Sequence, residues 1–290
     1  MVLAAVAQFR SSSIITDNLT QACALIKKAA TAGAKAIFLP EATDFIAPQA
    51  SVAQLTRSRE NQDFVNAIQQ AAKQSSIFVS VGVHEPPGEH QDSRDSAQGD
   101  GRLKCYNTHL LIDDKGEVLD RYRKLHLFDV DIKGGMKILE SDSTIKGSEL
   151  VPPRASPIGK IGLLTCYDLR FPEPSLSLRR QGADILTYPS AFTVRTGAAH
   201  WEALLRARAI ETQSYVLASA QVGQHEGTKR VSWGHAMIID PWGSIVAQCS
   251  DIQPYRPTFC LAEIDLESLE SVRKEMPLWD QRRTDIFPTL

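Results

Sequence analysis

Along nearly the whole chain, apolar segments of strand length alternate with amphipathic segments of helical length, and this rhythm constrains the fold more than any other feature. Residues 2–9 form an apolar run suited to a buried strand. A helix is expected next, with Asp17 or Asn18 as its N-cap. Leu19, Ala22, Cys23, Ile26 and Ala30 fall on one of its faces, Lys27 and Lys28 suit its last turn, and Gly33 suits its stop. Residues 36–39 read as a short strand ending at Pro40-Glu41. Then come a helix at 55–74, a strand at 77–83, an exposed loop at 86–102, and paired strands at 106–112 and 117–122 around Asp113-Asp114-Lys115-Gly116. Residues 128–157 carry no clear period, and irregular stretches of that length are usually functional or mobile. The second half repeats the rhythm. Strands are expected at 161–165, 185–188, 215–220, 235–240, 244–248 and 258–264, with helices at 172–181 and 198–212. Alternation with several tight turns predicts a mixed sheet covered by helices. One sheet with helices on both faces fits, and so do two stacked sheets each with its own helix layer. No composition break marks a boundary, so residues 1–290 read as one domain.

Composition excludes several classes. The net charge is −2, which gives no general attraction to nucleic acid or to an anionic membrane. No apolar run approaches the ~20 residues that a membrane helix needs. The N-terminus lacks a basic leader region and runs into Ser11-Ser12-Ser13, so it reads as a strand and not as a targeting signal. The five cysteines are scattered and odd in number, which argues against a disulfide framework and for a reducing, cytoplasmic setting. No Cys-x-x-Cys and no His-Glu-x-x-His occurs, so neither a metal nor a cofactor is expected.

Three places put a reactive side chain directly after a buried strand: Glu41 in Leu39-Pro40-Glu41, Lys124 in Tyr122-Arg123-Lys124-Leu125-His126, and Cys166 in Leu164-Thr165-Cys166-Tyr167-Asp168. At the third, a helix begins within six residues. A nucleophile on a strand-to-helix turn is exposed while its neighbours are held, and nearby backbone N–H groups can receive a developing oxyanion. Taken singly, each residue also has a plain structural explanation. A cysteine after an apolar strand is usually inert core, a glutamate there is usually solvated, and a lysine in a basic run is usually a surface charge.

Together these blocks resemble the catalytic blocks of the nitrilase superfamily, in the order and spacing of that family. The similar stretches are Leu39-Pro40-Glu41, Tyr122 through Asp129, and Thr165-Cys166-Tyr167-Asp168-Leu169-Arg170-Phe171-Pro172-Glu173. Tyr188-Pro189-Ser190-Ala191-Phe192 through Glu211, Trp233-Gly234-His235 and Asp240-Pro241-Trp242-Gly243 resemble its Nit branch, and within that branch the deaminated glutathione amidases most, with the ω-amidases next. The resemblance implies a four-layer α-β-β-α sandwich that forms a homodimer through one helical layer. It also implies a Glu41-Lys124-Cys166 triad, assisted by a second glutamate sixteen residues after the lysine, at Glu140.

Amide hydrolysis fits these groups. Cys166 would attack as a thiolate, Glu41 would move the protons, and Lys124 with the Tyr167 N–H would stabilise the oxyanion, while Glu140 orients Lys124. Arg170 is suited to a substrate carboxylate, Phe192 and Thr196 are expected to line the pocket, and residues 221–230 border the room beyond the scissile nitrogen. The expected substrate is a small-molecule amide of a 2-oxo acid, deaminated glutathione first and 2-oxoglutaramate as the alternative. A true nitrilase fits less well, because Cys166-Tyr167-Asp168 stands where such enzymes usually show Cys-Trp-Glu. A Cys-His hydrolase would need His126 or His200 as base, and no third orienting residue stands out for either. A non-catalytic binding dimer on the same fold is the rival of a different class.

Overall fold

The computed structural model describes residues 1–88, 103–131 and 137–287; most of the loop expected at 86–102 lies outside the described residues. In chain order the first half contains β1 (Val2–Phe9), α1 (Ile15–Thr31), β2 (Ala36–Phe38), α2 (Gln49–Thr56), α3 (Arg59–Ser75), β3 (Phe78–Glu85), β4 (Cys105–Ile112), β5 (Val118–Arg123), β6 (Asp129–Asp131), β7 (Lys137–Leu139) and β8 (Thr144–Ile145). The second half contains β9 (Arg154–Ser156), β10 (Gly159–Leu163), α4 (Pro172–Arg180), β11 (Ile185–Thr187), α5 (Val194–Thr212), β12 (Tyr215–Ala218), β13 (Ala220–Gln224), β14 (Val231–Trp233), β15 (Met237–Ile239), β16 (Ile245–Gln248), β17 (Thr258–Ile264) and α6 (Leu266–Glu275).

One mixed sheet has the order β14-β13-β1-β2-β3-β4-β5, with β17 antiparallel along β1 and β8 beside β4; the other runs β16-β15-β12-β11-β10-β9. The two-residue period of β1 explains the layers. Ala5, Ala7 and Phe9 pack in one core with Leu25 and Ile26 of α1 and Phe64 and Ile68 of α3. Ala4 and Val6 point the other way, into a core shared with Ile161, Leu163 and Val216 of the second sheet. That core continues to Leu178 of α4 and to Trp201 and Leu205 of α5. The result is the α-β-β-α sandwich, and of the two arrangements left open by periodicity it is the stacked-sheet one.

Several boundaries differ from expectation for physical reasons. α1 begins at Ile15, ahead of the expected caps. Asn18 is buried within it, donating to Ser12 O and Asp44 O at 2.8 Å each, so its amide ties loops together instead of capping. The helix expected at 55–74 is two helices. Ser58 interrupts it and caps α3, accepting from the Asn61 N–H at 3.2 Å. The strand expected at 215–220 is also two: β12 ends at Ala218 in one sheet, and β13 starts at Ala220 in the other. At the crossing, Ser219 Oγ donates to Leu39 O at 2.9 Å, just behind Glu41. α6, not expected from the sequence, is capped by the Asp265 carboxylate, which accepts from the N–H groups of Glu267 and Ser268. The stretch at 128–157 holds the small β6–β7 hairpin, a 3-10 turn at Glu140–Asp142 and two short strands.

One glycine lets the sheet approach the Glu41 turn. A Cβ on Gly82 would stand 2.6 Å from Glu41 Cα and 2.9 Å from Pro40 O, both backbone atoms that cannot swing aside. Gly82→Ala is therefore expected to lower stability by about 1–3 kcal/mol, read from the urea midpoint. Gly88→Ala, which meets nothing within 4 Å, is the control and should stay within about 0.5 kcal/mol. Equal midpoints for the two variants would refute the close-approach account.

Candidate active site

Three turns at the ends of strands converge. Past β2, the turn holding Glu41 is fixed from several sides. Leu39 N–H donates to Ser80 O at 2.7 Å and Thr43 N–H to Gly82 O at 2.8 Å. Gln221 Nε2 donates to Glu41 O at 2.9 Å and to Ala42 O at 3.2 Å. Lys124 follows β5; its N–H donates to Asn107 O at 2.9 Å, and its carbonyl accepts from Gly147 N–H at 2.8 Å. Cys166 opens a 3-10 turn, Cys166–Arg170, after β10. It has φ +46, left-handed backbone that a non-glycine residue seldom adopts, and its N–H donates to Pro189 O at 3.1 Å.

Asp168, fully buried, joins the second turn to the third. Its Oδ2 accepts from Tyr122 Oη at 2.7 Å and Thr165 N–H at 2.9 Å, and its Oδ1 accepts from His126 N–H at 3.0 Å, with His126 Nδ1 at 2.8 Å. Tyr122 and His126 flank Lys124 in sequence, so this carboxylate sets the distance between the lysine strand and the cysteine turn. His126 also stacks on Phe171 with centroids 3.8 Å apart, and His200 Nδ1 lies 3.2 Å from an Arg170 nitrogen. Both histidines make structural contacts, and for His126 the buried Asp168 is an orienting carboxylate that did not stand out in the sequence.

Lys124 Nζ lies 2.9 Å from Glu41 Oε1 and 3.0 and 2.8 Å from the two Glu140 oxygens. Glu140 Oε2 also accepts from Phe128 N–H at 2.7 Å. Asn107 Nδ2 bridges the two carboxylates, at 2.8 Å from Glu41 and 3.1 Å from Glu140. Glu41, Lys124 and Cys166 are respectively 4%, 2% and 7% exposed, so charge interactions here are weakly screened. Burial alone pushes the Glu41 carboxyl up. The charges of Lys124 and Arg230, with hydrogen bonds from Lys124 and Cys166, overcome it and hold the group at about 2, ionised across the physiological range. Burial likewise disfavours the charged lysine, and the two carboxylates reverse this, keeping Lys124 well above its ordinary value. Cys166 is raised by burial and then by the Glu41 charge, against the opposing pull of Lys124, so its resting form is the neutral thiol. Glu41 Oε2 is buried and lacks a hydrogen-bond partner among the described residues, which leaves it open as a proton acceptor. A thiol, an ionised carboxylate and an ammonium thus meet in one place, the groups that nucleophilic attack on a carbonyl needs.

These groups open into a cleft of about 460 Å³, lined also by Glu140, Tyr167, Arg170, Phe192 and Thr196. All eight residues singled out from the sequence are therefore brought together. The guanidinium of Arg170 lies over the rings of Tyr167 and Phe192, at 5.7 and 5.5 Å. Of the stretch 221–230 expected to border the cleft, Arg230 lines it; sequence reasoning missed Asn107 and His84, which line it too. Asn107 had a signal: it is a polar residue inside a strand whose eight residues are all buried, and such a residue needs a partner. His84 stacks on Phe45 at 4.3 Å and bonds Asp44 Oδ1 through Nδ1 at 2.9 Å.

The sequence pattern described as Carbon-nitrogen hydrolase matches residues 3–274. The chain belongs to the carbon-nitrogen hydrolase family. It is 46% identical to a Schizosaccharomyces pombe protein named "Probable hydrolase nit2", over 100% of both chains. It is also 46% identical to the deaminated glutathione amidase of Mus musculus, over 99% of this chain and 85% of that one. Among solved structures, the Caenorhabditis elegans NitFhit protein superposes with a TM-score of 0.89 at 40% identity, covering 99% of this chain and 66% of that one. Nit3 of Saccharomyces cerevisiae, described as a member of branch 10 of the nitrilase superfamily, superposes with a TM-score of 0.81 at 27% identity, covering 97% of this chain and 96% of that one. This carbon-nitrogen hydrolase is thus an amidase of the nitrilase superfamily, with the sandwich fold of that group.

The raised thiol and the adjacent ionised carboxylate make a prediction of definite sign. Iodoacetamide with peptide mapping should modify Cys166 ahead of the other four cysteines, and Glu41→Gln should slow that modification by about tenfold or more, because the base is lost. Were thiolate abundance alone decisive, removing the neighbouring negative charge and freeing Lys124 would speed it instead. A faster rate in Glu41→Gln would exclude Glu41 as the base.

Proposed function

We propose that this carbon-nitrogen hydrolase cleaves the carboxamide of a small 2-oxo acid, with deaminated glutathione as the preferred substrate and 2-oxoglutarate and cysteinylglycine as products. The observation that carries the reading is the meeting of Cys166, Glu41 and Lys124 at one end of a cleft whose wall presents Arg170. Relatives named deaminated glutathione amidase at 45–46% identity support the choice of substrate. The cleft volume of about 460 Å³ lies within the ~300–1,000 Å³ that encloses larger organic ligands, more room than a five-carbon keto amide fills.

In this mechanism Cys166 Sγ attacks the amide carbon while Glu41 accepts the thiol proton. Lys124 and the Tyr167 N–H carry the negative charge that develops on oxygen, where one donor in a dry site is worth about 3–4 kcal/mol. Glu41 then gives the proton to the departing amine, and the C–N bond breaks to leave a thioester on Cys166. A water molecule, deprotonated by Glu41, attacks the thioester and releases the acid and the free thiol. Glu140 and Asn107 hold Lys124 and Glu41 in register without moving protons. Arg170 pairs with the 2-oxo acid carboxylate. No metal or cofactor takes part, and the working form is a cytoplasmic homodimer.

A side-by-side measurement of kcat/KM should rank deaminated glutathione above 2-oxoglutaramate, and both far above glutamine and a simple nitrile. Cys166→Ala and Cys166→Ser should be inactive with unchanged circular dichroism. Arg170→Met should raise KM for both 2-oxo substrates by about 30-fold, the loss that follows from truncating one partner of a desolvated charge pair. Preference for 2-oxoglutaramate would make the chain an ω-amidase. Near-normal turnover by Cys166→Ala would remove the mechanism and favour a binding dimer.

A further inference from the structure

Most ion-paired arginines of this protein face a carboxylate: Arg154 meets Asp120 at 2.7 Å, Arg208 meets Glu211 at 2.8 Å, and Arg273 meets Asp184 at 3.1 Å. Arg170 and Arg230 both line the cleft, and among the described residues neither forms an ion pair. Arg230 donates through one terminal nitrogen to Ala191 O at 2.8 Å, while its Nε is buried with no hydrogen-bond partner among the described residues. A guanidinium on a cavity wall with no carboxylate partner is matched by an anionic ligand, because its planar fork of donors suits a carboxylate.

The two arginines are carried by different elements of the fold. Arg170 ends the 3-10 turn that Cys166 begins, over the rings of Tyr167 and Phe192. Arg230 lies on the hairpin of β13 and β14, and that hairpin is anchored to the Glu41 turn through Gln221 Nε2 on Glu41 O and Ala42 O. The hairpin loop is stiff. His225 N–H donates to Arg230 O at 2.9 Å, and the His225 ring contacts Ser11 O at 2.8 Å and Ser232 Oγ at 2.7 Å. After Lys124, Arg230 is the positive charge that acts most strongly on Glu41. In the proposed mechanism Glu41 protonates the departing amine, so the amine half of the substrate lies on the Arg230 side.

We propose that Arg230 binds a carboxylate carried by the amine half of the substrate, and so selects N-substituted amides over the bare carboxamide. A dipeptide leaving group places its terminal carboxylate two residues from the scissile nitrogen, about 7 Å in extended chain. The inference rests on the amidase reading and adds the group that distinguishes its two candidate substrates: deaminated glutathione has this second carboxylate, and 2-oxoglutaramate does not.

The test compares wild type, Arg230→Gln and Arg230→Lys on three amides: deaminated glutathione, the same compound with its glycine carboxylate amidated, and 2-oxoglutaramate. Arg230→Gln should lower kcat/KM for deaminated glutathione at least about 30-fold more than for 2-oxoglutaramate, mainly through KM, with Arg230→Lys between. Wild type should disfavour the amidated compound by a similar factor, and Arg230→Gln should no longer distinguish it from the acid. Equal losses on all three substrates, or no wild-type discrimination against the amidated compound, would overturn the proposal. A wild type inert toward deaminated glutathione would sink the substrate reading instead, and a binding measurement then decides for Arg230. Alanylglycine should protect Cys166 from iodoacetamide in wild type but not in Arg230→Gln, and alanylglycinamide should protect in neither. Equal protection of wild type by the two dipeptides would overturn the role of Arg230.

Discussion

The site depends on one buried ammonium held between two carboxylates. Lys124 Nζ makes contacts of 2.9, 3.0 and 2.8 Å to Glu41 and Glu140 in a place where it is 2% exposed. Removing charges from water costs several kcal/mol per ion, and only close, hydrogen-bonded geometry offsets that. The surrounding backbone is accordingly overdetermined. Gly82 permits the Glu41 turn to lie against β3, Gln221 holds that turn from the next strand, and Gly147 lies against Arg123, where a Cβ would fall 2.1 Å from its carbonyl oxygen. Removing one partner of the buried Lys124 pairs would leave a charge without its counter-ion, at about 3–5 kcal/mol. The same contacts that keep Lys124 charged also keep Glu41 ionised beside a thiol that stays protonated, so the acceptor and the donor of the proposed proton transfer are set by one electrostatic cluster.

Cys166 is placed by strain as well as by charge. Its φ of +46 costs about 1–3 kcal/mol for a residue with a Cβ. Asp168 holds the strained turn, since contacts from three residues converge on its two oxygens. Two of those residues, Tyr122 and His126, belong to the strand end that carries Lys124. The turn cannot relax without breaking the links that set the lysine, so thiol and ammonium keep their relation.

The rhythm of the sequence exposed most of the strands and helices, because buried faces recur with periods that side chains alone declare. Glu41 and Cys166 each follow an apolar strand, whereas Lys124 follows the half-buried and largely polar β5, and all three were legible through the resemblance of their combined blocks to the nitrilase superfamily. Other features were hidden by physics that operates only in three dimensions. The run at 215–220 is apolar apart from Ser219, and a single serine in a strand does not record that it hands the chain from one sheet to the other. α2 and α3 read as one helix because Ser58 is a good cap only once Asn61 N–H turns toward it. Asn107 takes its meaning from two carboxylates that lie 66 and 33 positions away. Arg230, in a polar hairpin loop, looks like any solvated arginine until the absence of a carboxylate partner among the described residues is seen beside the cleft it faces.

Positive charge serves two separate ends in this cleft. Lys124 is paired with two protein carboxylates, which compensate its charge before any ligand arrives. Arg170 and Arg230 lack such partners among the described residues, so their charge faces the cleft. A ligand fixed by charge at both ends loses its freedom of translation and rotation before any bond changes, and in well-oriented reactions that pre-ordering is worth about 7–11 kcal/mol. Uncompensated arginines would weaken the fold if they were buried deeply. On the cleft wall, half-buried, they keep partial hydration, which a carboxylate of the proposed substrate would replace. Charge compensation around the thiol and uncompensated charge along the wall are therefore complementary: the first fixes the geometry for the proposed bond-breaking, and the second is the force that, in the proposed mechanism, brings a matching amide into that geometry.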